Sequence, residues 1–114
     1  MKLDKIKKFA KDMRKNIIFT AYKAGSKSAH IGGALSVTDI IAVLYSDIMN
    51  IKKTKYLDDD RDRFILSKGH ACLALYSALV VKKFLKKKDL ITFECDGSKL
   101  LGHPIINKKD GIEF

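Results

Sequence analysis

Three histidines carry the chemistry that this sequence can offer: His30 in SAHIGG, His70 in SKGHA and His103 in LGHPI. A neutral imidazole titrates near working pH and can hold, give or take a proton. One histidine alone is more often a surface residue or a hydrogen-bonded partner in the core. These three share a context, because each sits beside glycine or at the boundary of a predicted element, where backbone can approach a ligand closely. None falls on the apolar stripe of a predicted helix. Imidazole also ligates metals, but separations of 40 and 33 residues carry no metal signature.

The stretch RFILSKGHACLALYSAL, Arg63 to Leu79, says what the middle histidine faces. A short apolar run, Phe64-Ile65-Leu66, predicts a strand. It breaks into Ser67-Lys68-Gly69-His70 and restarts with helical periodicity, which predicts a helix from about Gly69 to Leu85 burying Leu73, Tyr76, Leu79, Val80 and Phe84. The first N–H groups of such a helix lack partners and carry partial positive charge, and Ser67 and Lys68 add donors. That combination favours an anion, phosphate above all. It is not a Walker loop, since GxxxxGK[ST] does not occur.

Further elements must hold these loops in place. Ile6, Phe9, Ala10, Met13, Ile17, Ala21 and Ala24 recur at three- and four-residue steps, predicting an amphipathic helix over Leu3–Ala24 that Gly25 stops. Ser36 with Asp39 resembles a capping box and predicts a second helix from Val37 to about Met49, with Ile40, Ile41, Leu44, Tyr45 and Ile48 inward. A short helix is expected around Leu90–Glu94, a turn at Asp96–Lys99, and a loop through IINKKDGIEF. One strand among helices needs partners, which points to an incomplete sheet.

Composition fits a single folded domain: 114 residues, 46% hydrophobic and 32% charged. The formal net charge of +10 raises nucleic-acid binding. Against it, only Arg14, Arg61 and Arg63 among the 23 basic residues are arginines. The densest run, Lys82 to Lys88, interleaves only Phe84 as a stacking aromatic, so a solvated lysine face explains the charge better. Cys72 and Cys95 form no CxxC pair and read as free thiols, Cys72 packed within its helix. The N-terminus lacks the continuous apolar core of a signal peptide, and the apolar run Ala71–Val81 is too short to span a bilayer. A cytoplasmic protein is expected.

Taken together, SAHIGGALSVTDIIAVLY (28–45), RDRFILSKGHACLALYSAL (61–79), LLGHP (100–104) and GIE (111–113) resemble the N-terminal region of transketolase. Their order and spacing match over nearly the whole chain. The HIGG form of the first loop resembles the shorter, two-subunit type, and a related synthase of the isoprenoid pathway is the poorer match. The resemblance implies an α/β fold, 1–114 being the diphosphate-side part of a thiamine diphosphate-binding parallel-sheet domain, helix-rich and incomplete. It implies transfer of a two-carbon ketol unit from a ketose phosphate to an aldose phosphate. By the same resemblance His70, with Gly69 and Lys68, would bind the diphosphate, while His30 and His103 would be catalytic, lining the substrate channel.

The sequence departs from the family in two respects. Ala29 stands where the family usually has glycine. The family's glycine-rich cofactor loop, the Gly-Asp-Gly segment that ligates magnesium or calcium, and the activating glutamate find no match in these residues. A fragment or truncated form, inactive alone, is therefore expected, working as a homodimer or with a C-terminal transketolase part. A non-catalytic interaction or regulatory descendant of the fold is the alternative, and the three intact histidines argue against it.

Overall fold

The structure, a computed structural model, describes residues 2–25 and 29–113. Ser28, which opens the SAHIGG motif, and the terminal Phe114 lie outside the described residues. The first predicted helix is present as α1, Lys2–Ala24, burying Phe9, Ala10, Met13, Asn16, Ile17, Thr20 and Ala24. Thr20 is tolerated in the core because its hydroxyl donates to the Asn16 carbonyl at 2.7 Å. Gly25 ends the helix with φ +62°, the left-handed position that glycine fills without a Cβ penalty.

The second helix starts six residues before its predicted start. α2 runs Ile31–Val43 and continues as a wider π-helical turn, Leu44–Ile48. Ser36 and Asp39 are not a capping box: the Ser36 hydroxyl donates to Gly33 O at 2.9 Å, and Asp39 accepts from Arg14 of α1 at 2.8 Å. Burial sets the start instead, since Ala34 and Thr38 pack wholly inside. The inward stripe is Ala34, Thr38, Ile41, Ala42 and Tyr45. Ile40 lies one residue off that stripe, the π turn carries Ile48 away from it, and both stand more than 60% exposed. By length and composition Ile31–Ile48 is apolar enough to cross a bilayer, and a third of it is buried in this fold.

The helix predicted over Gly69–Leu85 is shorter and in two parts. A 3-10 turn at Gly69–Ala71 leads into α3, Cys72–Val81, in which Cys72 to Leu79 are all buried. A helix buried on every side occupies the centre of its domain, and α3 packs against both α1 and α2. It ends early because Lys83 takes φ +73° and the N–H groups of Phe84 and Leu85 return to Leu79 O at 2.8 and 3.2 Å. That tucks both side chains into the core. α4 is Lys87–Leu90, started by the Asp89 carboxylate accepting the Lys86 N–H at 2.9 Å, and Ile91–Glu94 are turns.

Phe64–Leu66 does not form the predicted strand. The described residues contain no strand, only an isolated antiparallel bridge between Asn107 and Ile112, so nothing supplies the ladder that a strand requires. The side chains still alternate as in a strand, Phe64 and Leu66 half-buried and Ile65 60% exposed. The tail predicted as a loop folds back. Its Lys108–Asp110 turn places Gly111, φ +87°, where a Cβ would meet Leu79 Cδ2 at 2.6 Å, and Ile112 is fully buried. Arg61 then grips Glu113 through two hydrogen bonds of 2.7 and 3.1 Å, both side chains 4% exposed. The Cα radius of gyration, 13.2 Å, matches the ~13 Å expected of a compact domain this size.

Candidate active site

Each histidine sits at the edge of a different element. His30 immediately precedes α2, His70 lies in the 3-10 turn that leads into α3, and His103 is in the loop after Leu100. The fold brings all three together, with His70 in the middle. Its ring centroid is 4.8 Å from that of His30 and 4.7 Å from that of His103, both edge to face. All three side chains are exposed. Among the described residues no group of three or more His, Cys, Asp or Glu is arranged to hold a metal ion.

His103 is placed by hydrogen bonds to its own loop. The Tyr76 hydroxyl donates to Leu101 O at 2.6 Å and the Cys72 thiol to Gly102 O at 3.2 Å, both from α3. The Gly102 N–H donates to the Glu94 carboxylate. Glu94 itself has φ +59°, and its N–H donates to Leu100 O at 2.9 Å, closing the loop on the far side. The outcome is that His103 lies against Gly69, where an added Cβ would stand 2.8 Å from His103 Nδ1. Any larger residue at position 69 would displace the imidazole.

Burial, and then the nearby Glu94, push the Cys72 thiol up to about 12. Burial likewise raises the Tyr76 phenol well above its ordinary value. Both groups are therefore neutral donors at physiological pH, as their bonds to carbonyls require.

Two cavities meet at this cluster. One of about 610 Å³ is lined by His30, His70, His103, Cys72, Glu94 and the Leu101–Ile105 segment. A smaller one, about 230 Å³, is lined by Leu66, Ser67, Lys68, Gly69, His70, His103 and Pro104. His70 and His103 border both. In the smaller cavity the free donors differ from those expected. The Gly69 N–H is already given to Ser67 O at 3.1 Å and the Ala71 N–H to Lys68 O at 3.0 Å. The loop amides of Ser67 and Lys68 donate to no described group and remain for a ligand, together with the exposed Lys68 and His70 side chains. An ammonium, an imidazole and two amides around a small cleft suit a phosphate-type anion.

Thus all five residues singled out from sequence, His30, Lys68, Gly69, His70 and His103, fall in one place. Glu94, Cys72 and Tyr76 were not foreseen as parts of it. Cys72 and Tyr76 lie four apart, on one face of α3, which is the only sequence signal they give.

A helical platform that sets three imidazoles beside an anion-accepting turn defines a cofactor-binding enzyme domain. The family described as "Transketolase, thiamine diphosphate binding domain" matches residues 7–114, and the chain belongs to that family. It is similar to one subunit of the apulose-4-phosphate transketolase of Phocaeicola vulgatus, 43% identical over 100 residues, which cover 88% of this chain and 34% of that protein. It is also similar to the transketolase of Streptococcus pyogenes, 37% identical over 115 residues, covering 99% of this chain and 16% of that one. The solved structure of transketolase from Leishmania mexicana superposes with a TM-score of 0.80 at 29% identity, over 94% of this chain and 16% of that one. The chain spans about a third of the first relative and about a sixth of the other two.

Proposed function

We propose that this chain supplies the diphosphate-binding face and part of the sugar channel of a transketolase. The reaction is transfer of a two-carbon ketol unit from a ketose phosphate to an aldose phosphate. The observation that carries this reading is the histidine cluster, three imidazoles within 4.8 Å of their neighbours and directly beside free loop amides. Lys68, His70 and the Ser67–Lys68 amides hold the diphosphate of thiamine diphosphate, and Gly69 leaves room for His103 beside it. When bound, that cofactor supplies the nucleophile and electron sink for carbon–carbon cleavage. His30 and His103, lining the larger cavity, bind the sugar hydroxyls next to the reacting carbons and hold or pass a proton there.

The divalent metal that completes such a cofactor site, magnesium or calcium, takes its ligands from residues outside these 114. We place the activating glutamate there too, so the chain alone has no activity. Phe64–Leu66, which keeps a strand's alternation, takes its position in a parallel sheet when further strands are supplied. Relatives named as single subunits of a transketolase support the view that a second polypeptide is their source. Cys72 and Cys95, neither of them in a disulfide, accord with a reducing cytoplasm.

The test is a chimera in which residues 1–114 replace the matching segment of the Streptococcus pyogenes transketolase. The chimera should transfer ketol units with thiamine diphosphate present. His30→Ala, His70→Ala and His103→Ala should each lower kcat/KM by about 10²-fold or more. A soluble, cofactor-binding chimera without activity, or an active one indifferent to these substitutions, would refute the assignment.

A further inference from the structure

We propose that the chain carries a second oxyanion site, between α1 and the turn that ends α3, which takes inorganic phosphate or a phosphate monoester. A cavity of about 700 Å³ lies there, lined by Asp12, Lys15 and Asn16 of α1 and by Lys83, Lys86 and Lys87. It shares no lining residue with either histidine cavity. It lies at the C-terminal end of α3 while His70 precedes the N-terminal end, and ten helical residues separate the two by ~15 Å.

Asn16 is the key residue. It is only 7% exposed, yet its carboxamide makes no hydrogen bond with any described group; only its backbone carbonyl is used, by Thr20. A buried carboxamide has two donors and an acceptor to satisfy, and leaving them unpaired is unfavourable. The four lysines around it make no ion pair with any described acid. The only acid lining the cavity, Asp12, is already engaged by Lys8 at 3.0 Å. Lys87 is steadied over the Phe19 ring, 4.7 Å from its centroid.

The site thus offers four ammoniums, one largely neutralised carboxylate and a buried amide N–H₂. A dianion with several acceptor oxygens satisfies that set, and ammonium groups bind phosphate as point charges without needing fixed geometry. A neutral sugar would leave the lysines unanswered, and a cation would be repelled.

The experiment is a phosphate titration of the 114-residue chain at constant ionic strength, followed by amide NMR, with sodium chloride as control. The Asn16 side-chain amide pair and the Lys83 and Lys86 backbone amides should shift saturably with phosphate and not with chloride. Lys83→Gly removes one ammonium at φ +73°, a conformation that suits glycine, so the fold is kept. This variant should weaken binding about tenfold, the worth of one charge-assisted hydrogen bond. Asn16→Asp should abolish it. Shifts confined to Ser67–His70 would report the other site and would overturn this one. So would a non-saturating response at Asn16, or a Lys83→Gly variant with unchanged affinity.

Discussion

His103 reaches Gly69 only because Tyr76, Cys72 and Glu94 hold the carbonyls and amide of its loop. The Cys72 donor has a consequence for pH. Its thiol is raised from 9.0 to about 12, by burial first and Glu94 second, so the folded chain keeps a proton that the unfolded chain releases near pH 9. The stability it contributes is whole below pH 9 and drains away as pH climbs toward 12. Tyr45 and Tyr76, raised mainly by burial, act in the same direction above pH 10. The urea midpoint should therefore be flat up to pH 9 and fall beyond it. Cys72→Ser, which keeps a donor toward Gly102 but does not ionise in this range, should fall less steeply; an identical decline would show that the thiol is uninvolved. At this scale the sequence revealed the histidines, because glycine neighbours mark close backbone approach. It could not reveal Glu94 as a clamp on Gly102 or Cys72 as one across 30 residues, since such bonds follow no period.

The helices were legible to different degrees, for physical reasons. α1 was read almost to its ends because a 3.6-residue stripe closes on Gly25. In α2 the Ser36–Asp39 pair imitated a cap, while burial of Ala34 and Thr38 drew the helix back to Ile31. Phe64–Leu66 carries a strand's pattern, but a strand exists only with a partner, which no local pattern can report. The folded-back tail was missed for a similar reason, since it depends on Arg61 and Glu113 meeting across 52 residues. Arg61 also donates to Tyr56 O at 2.6 Å, so the pair ties the α2–α3 connection to the tail. Arg61→Met would leave Glu113 buried without its cation and should destabilise the chain by about 3–5 kcal/mol. Arg61→Met with Glu113→Met should recover part of that loss in urea unfolding. A single variant as stable as the parent would show the pair to be dispensable.

As a whole, the molecule is a helical core whose outer loops gather three histidines and a lysine at one end of α3, with four further lysines at the other. The two ends are separate in residues and in the anions proposed for them. Family membership rests on the 7–114 match, while the chemistry rests on the histidine end alone. The most direct measurement there is amide NMR of the chain titrated with thiamine diphosphate, with thiamine as control. Thiamine diphosphate, and not thiamine, should shift the Ser67, Lys68 and His70 amides, and Lys68→Ala should remove the effect. Shifts absent from residues 67–70, or equal with thiamine, would contradict a diphosphate site at this turn.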